Sequence, residues 1–174
     1  MKVGLQEIKH NANESISKYK ERLVAKGYAQ NYGIDYVNSF SPVVRMATMR
    51  TIIAVAATKG WSLHQMDVKN AFLHGDFQEE VYMTHPQGYE DDAQPHFVCT
   101  LHKALYGLKQ PPRAWLNKIH QYLVTIGFQI SNAYFSLYVK KTKRGIVLIA
   151  IYIDDLIITR DSDADLCDVK MLLK

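Results

Sequence analysis

The stretch that most constrains the fold is Gly145-Ile-Val-Leu-Ile-Ala-Ile-Tyr-Ile-Asp-Asp-Leu-Ile-Ile-Thr159, an apolar, β-branched run broken only by Asp154 and Asp155. β-Branched side chains lose rotamer freedom in a helix and pack well on a pleated surface, so the composition predicts a buried strand. The two acids split it into two short strands with a turn between. Adjacent carboxylates held between apolar strands repel each other and are poorly hydrated, which is costly unless a cation sits there or the turn is fully wet. Acids are also ordinary turn residues, so a plain hairpin with an Asp-Asp turn accounts for the dipeptide equally well. A second acid in a matching context separates the two readings. Asp67 supplies it, at the end of a short strand read in Leu63-His-Gln-Met-Asp-Val-Lys-Asn-Ala-Phe-Leu73.

Tyr152-Ile-Asp-Asp155 resembles the tyrosine-x-Asp-Asp box of reverse transcriptases, and Asp67-Val-Lys-Asn-Ala-Phe72 resembles their first catalytic box. Arg22-Leu-Val-Ala-Lys-Gly-Tyr-Ala-Gln30, Phe40-Ser-Pro-Val-Val-Arg45 and Lys103-Ala-Leu-Tyr-Gly-Leu-Lys-Gln110 look like segments of a copia-type retrotransposon reverse transcriptase. Each box alone is weak; five in this order are specific. The resemblance covers about Ile16 to Arg160, with a fingers-like part near 16–60 and a palm after it. Tyr134 and Arg160 depart from the residues usual in the family, which suits a drifted copy, and Glu21 stands where a small residue is more usual, which weakens the local positive field.

The resemblance implies that Asp67, Asp154 and, less directly, Asp155 hold two magnesium ions, with manganese as an alternative, for in-line nucleotidyl transfer onto DNA. Hard oxygen ligands suit magnesium better than His or Cys would. Arg22 and Lys20 become candidates for the triphosphate and template, Gln110 and Tyr152 for the nucleotide site, and Phe72 for a steric gate against a ribose 2′-hydroxyl. The residues alone leave simpler readings open: a solvated basic strand face for Lys20 and Arg22, helix-entry polarity for Gln110, and core for Phe72. The implied partners are an RNA or DNA template with its primer, deoxynucleoside triphosphates, and other segments of a Pol polyprotein. The implied location is intracellular, in a cytoplasmic virus-like particle or the nucleus. Nineteen residues follow Asp155, so a thumb and an RNase H domain are expected to be absent from 1–174, and the chain alone is expected not to extend a primer. Two further readings stay open: a degenerate, inactive polyprotein remnant, and a metal-dependent nuclease or integrase, for which no matching Glu box is present.

At 174 residues one domain is expected, burying roughly 70% of its unfolded surface. No apolar run reaches the ~20 residues of a membrane span, and the polar N-terminus lacks the apolar core of a signal peptide. Cys99 and Cys167 have no paired spacing, which fits a reducing compartment. Net charge is +4, with nine Lys/Arg against four acids in 1–60 and twelve against thirteen thereafter. The basic part would face phosphates, although a mild excess is common in proteins with no such partner.

Short strands interleaved with helices predict an α+β fold, an antiparallel palm sheet covered by helices on one side, with a partial fingers subdomain. Residues 1–13 show no clear period, whereas Ser17 to Ala25 alternates as a strand ending at Gly27. A helix is expected over Thr48 to Lys59, capped by Thr48 and ended by Gly60. Asp76, Glu79 and Glu80 read as solvated surface before a strand at Val81 to Thr84. His96-x-x-Cys99-x-x-His102 invites a zinc reading, but on a strand Cys99 points away from both histidines. Pro111 and Pro112 open a helix whose Trp115, Ile119, Tyr122, Leu123 and Ile126 form an apolar face closed by Gly127. Phe135 to Lys140, a basic turn and Ile146 to Tyr152 form a hairpin. Asp161-x-Asp163-x-Asp165 mimics a calcium loop but has Leu166 and Leu172 where Gly and Glu are needed. A helix is expected to start there instead.

Overall fold

The apolar run forms the middle of a five-stranded antiparallel sheet in the computed structural model, which describes residues 5–39, 44–86, 88–94, 96–143 and 145–161. The chain divides into two compact units, residues 41–69 with 119–174 and residues 1–40 with 70–118. In the first of these units, β8 (Gly145–Tyr152) pairs on one side with β9 (Asp155–Arg160) and on the other with β7 (Leu137–Thr142). The edges are β3 (Ser62–Asp67), against β9, and the two-residue β6 (Gln129–Ile130), against β7. The sequence gives no periodic warning of so short an edge strand.

Alternation divides the sheet residues between two faces. Tyr138, Val147, Ile149, Ile151, Leu156 and Ile158 share one face, and none is more than 2% exposed. Leu137, Ala150 and Ile157 share the other, where they pack with Val44, Met49 and Ile52. Met49 and Ile52 belong to α1 (Met46–Lys59). From α2 (Pro111–Thr125), His120 reaches the first face, its Nδ1 3.4 Å from the Tyr138 hydroxyl. The expectation of helices on one side therefore gives way to helices meeting both faces. β8 is apolar at successive positions because both of its faces are covered, whereas a strand covered on one side alternates apolar with polar residues.

Two helix details also differ from expectation. α1 begins at Met46 with Arg45 at its N-cap and no capping side chain, while Thr48 is buried within the first turn. Thr48 precedes Met49 on the face that meets the sheet, so packing overrides its capping preference. Gly60 ends the helix as expected, at φ +66° with its N–H shared between the Ala56 and Ala57 carbonyls. In α2 the buried stripe runs through Trp115, Leu116, Ile119 and Leu123, leaving Tyr122 at its exposed margin.

The other unit holds an antiparallel hairpin of β1 (Leu5–His10) and β2 (Ile16–Arg22) and a second pair of β4 (Asp76–Thr84) and β5 (Val98–Lys103). β1 occupies residues with no sequence period; its structure comes from pairing with β2. β4 starts earlier than expected because a register shift between Asp76 and Val81 takes in the acidic residues, and Asp76 pairs with Lys118. On β5 Cys99 and Leu101 are turned inward and His102 outward. The expected helix after Asp161 lies outside the described residues. Among the described residues no helix is long and apolar enough to cross a membrane.

Burial pushes the Tyr138 hydroxyl up to about 12 from its ordinary 10. A folded value above the unfolded one means that neutral Tyr138 contributes its stability in full below about pH 10 and loses it as the pH rises towards 12. Urea denaturation between those pH values is expected to show a loss on the order of 2 kcal/mol that Tyr138→Phe does not share.

Candidate active site

Asp67 is the last residue of β3 and Asp155 the first of β9, and the register sets them directly opposite each other. Like charges facing across a ladder repel, so this end of the sheet carries an electrostatic cost. Asp155 in turn faces Tyr152, the last residue of β8. Ile153 and Asp154 make the two-residue loop between them. The Val68 N–H donates to the Asp154 carbonyl at 3.1 Å, which ties the loop to the residue after Asp67. Asp67 and the adjacent pair Asp154 and Asp155, far apart in sequence, thus meet at one end of one sheet. Asp67 is exposed, and Asp154 and Asp155 are half-buried.

Their surroundings differ. The Asp155 Oδ1 accepts a 3.0 Å hydrogen bond from the Gln65 amide, two residues back along β3 on the same face. Asp155 is therefore partly engaged by the scaffold. Tyr152 packs beside Val44, Met49, Ile52 and Ala150, so much of its ring serves the core. Ile153 stands at φ +58°, a conformation rare for a β-branched side chain. Positive φ at only the first of two loop residues is the requirement of a type II′ hairpin turn, where glycine is the relaxed choice. Strain of this kind costs about 1–3 kcal/mol and gathers at functional turns. Among the described residues no three His, Cys, Asp or Glu side chains are gathered as a ready cation cage.

The remaining candidates lie in the other unit. Arg22 ends β2, its guanidinium carbon 5.8 Å from the centroid of the Tyr106 ring. Phe72, in a 3₁₀ turn over Ala71–His74, meets the same Tyr106 ring edge-on at 5.5 Å and 67°. Lys20 lies on β2, and its side chain is outside the described residues. Gln110 is only 3% exposed and both ends of its amide are occupied. Its Oε1 accepts from Gln30 Nε2 at 3.0 Å and its Nε2 donates to the Asp35 carbonyl at 2.9 Å. Its backbone carbonyl receives the first amides of α2, from Arg113 and Ala114.

So the structure gathers Asp67, Tyr152, Asp154 and Asp155 at one sheet end and, separately, Arg22 and Phe72 around Tyr106. Gln110 belongs with neither group; it fastens the loop that carries it. Tyr106, Gln65 and Gln30 are the participants that sequence reading passes over. Tyr106 alone carried a signal, since Tyr-Gly inside an apolar segment marks a loop whose aromatic side chain needs a partner.

Comparison with known proteins gives these arrangements a context. The family described as reverse transcriptase (RNA-dependent DNA polymerase) matches residues 5–174. The chain is 47% identical over 151 residues to the Retrovirus-related Pol polyprotein from transposon RE1 of Arabidopsis thaliana, covering 87% of this chain and 10% of that one. It is 46% identical over 151 residues to the corresponding polyprotein from transposon RE2 of the same plant, with the same coverage. To the Retrovirus-related Pol polyprotein from transposon TNT 1-94 of Nicotiana tabacum it is 40% identical over 152 residues, 87% of this chain and 11% of the relative. The chain thus spans about a tenth of the length of these curated relatives. No solved structure matches it.

Proposed function

The chain belongs to the reverse transcriptase (RNA-dependent DNA polymerase) family, and on that premise we propose that it carries the nucleotidyl-transfer site of a copia-type polymerase. The observation that carries this reading is the convergence of Asp67, Asp154 and Asp155 at one end of the sheet. In this reading the five-stranded sheet with α1 is the palm and the β1–β2 hairpin belongs to the fingers.

The donor set suits divalent magnesium. That ion takes one or two protein carboxylates and completes its shell with water and substrate phosphates. Asp67 and Asp155, paired across the ladder, and Asp154 in the adjoining loop offer such carboxylates without a closed cage. Bound there, two such ions would supply Lewis-acid stabilisation at the attacking 3′-oxygen and at the leaving pyrophosphate. Asp67 and Asp154 are the ligands in this reading. Asp155, held by Gln65, fixes the start of β9 and adds negative charge. The strained Ile153 turn fixes where the Asp154 side chain leaves the loop. Arg22 offers its guanidinium to the triphosphate, and Phe72 borders the sugar. The template, the primer and the other segments of the Pol polyprotein, inside the cell, are the partners this reading requires.

Primer extension tests it, with the segment carried in a complete polymerase and supplied with magnesium and a primed template. Deoxynucleotide incorporation is expected, and Phe72→Val is expected to raise ribonucleotide incorporation about tenfold or more, since a pocket that loses its excluding group loses ~1–3 kcal/mol of discrimination. Unchanged discrimination would return Phe72 to a packing role. Strand cutting with no extension would support the nuclease reading instead.

A further inference from the structure

Resting on that reading, we propose that Tyr106 is a positioning residue, whose one ring holds both Arg22 and Phe72 and so couples triphosphate binding to sugar selection. The two contacts are of different kinds. The Arg22 guanidinium carbon lies 5.8 Å over its centroid, within cation–π range. Phe72 approaches edge-on with its centroid 5.5 Å away, the arrangement the ring quadrupoles favour. Neither Arg22 nor Phe72 can swing far without breaking its contact with this shared neighbour.

The backbone fixes Tyr106 independently of its side chain. The Tyr106 carbonyl accepts the Ala25 N–H at 2.7 Å, three residues after Arg22 ends β2. Next to it two glycines bring main chain against main chain. A Cβ on Gly107 would stand 2.2 Å from the Ala25 carbonyl oxygen, and one on Gly27 would stand 1.9 Å from the Gly107 oxygen. This clasp delivers the ring to the end of β2. The Arg22 Nε is buried and has no hydrogen-bond partner among the described residues. An unpaired guanidinium donor is costly to leave inside a protein, so the π-face contact does not satisfy it and an anion would.

The test uses the whole chain with Tyr106→Leu, Tyr106→Phe and Arg22→Ala, and with Tyr106→Met should the leucine variant lose its circular dichroism spectrum. One readout is the NMR resonance of the Arg22 Nε–H, observable because the group is buried. In the native chain and Tyr106→Phe it is expected to carry the ring-current shift of a stacked guanidinium, and in Tyr106→Leu to lose it. The other readout is affinity for a fluorescent deoxyadenosine triphosphate and for its ribose counterpart, with magnesium present. Tyr106→Leu is expected to weaken deoxynucleotide binding about tenfold, as Arg22→Ala does, and to narrow the preference for deoxyribose, while Tyr106→Phe restores both. A resonance and affinities that stay native in Tyr106→Leu overturn the proposal. A resonance that shifts while neither Tyr106→Leu nor Arg22→Ala changes affinity, or while the native chain binds no nucleotide, upholds the packing and overturns the nucleotide role given to Arg22.

Discussion

Asp154→Asn is expected to lower nucleotide incorporation at least about a thousandfold in a polymerase carrying this segment, with no loss of fold. The substitution keeps size and shape and removes only charge. The hydrogen bond from the Val68 N–H goes to the Asp154 backbone carbonyl, so the loop keeps its tie to β3. Asp67→Asn should behave alike, and because it also removes the repulsion with Asp155 directly opposite, its urea midpoint should hold or rise. Asp155→Asn should cost less activity than either, since an asparagine oxygen can still accept from Gln65. Steady-state incorporation beside urea denaturation checks all three. Equal losses of activity and stability would mark the acids as scaffold.

Gly27→Ala and Gly107→Ala are expected to destabilise the unit holding the β1–β2 hairpin by about 3 kcal/mol or more each. At both positions the nearest atom a new Cβ would strike is a main-chain carbonyl oxygen, which cannot rotate away. Gly107 adds a φ of +91°. Gly33 is the control, with a φ of +83° but open space around it, so Gly33→Ala should cost only about 1 kcal/mol. Urea titrations of the three variants measure the difference. Because the clasp delivers Tyr106, the two damaging variants should also weaken nucleotide binding.

How far the sequence reveals this molecule depends on which residues act through their neighbours in the chain. The strand pair around Asp154 and Asp155 is legible because apolar β-branched composition and an interrupting acid pair are local signals. The end of α1 at Gly60 is legible for the same reason. β1 is not, since Leu5–His10 draws its structure from pairing with β2, and its own residues have no period. Thr48 misleads because a good capping residue was used for packing. Gln110 misleads in another way. A polar residue before a helix reads as available for binding, and only the long-range bonds to Gln30 and Asp35 reveal that its amide is already used. The facing of Asp67 and Asp155 follows from register, which the strand ends suggest but do not fix. The continuous apolar run of β8 is the local mark of two-sided cover, but which helix covers which face is a tertiary matter that the strand's own residues do not encode.

Anomalous diffraction from crystals of the chain grown with manganese and a deoxynucleoside triphosphate tests the metal site most directly. The account predicts an anomalous peak bridging the carboxylates of Asp67 and Asp154, at oxygen distances of about 2.0–2.2 Å and lost in Asp154→Asn crystals. Nucleotide bound with no manganese between those two carboxylates, or manganese that persists in Asp154→Asn, would contradict it.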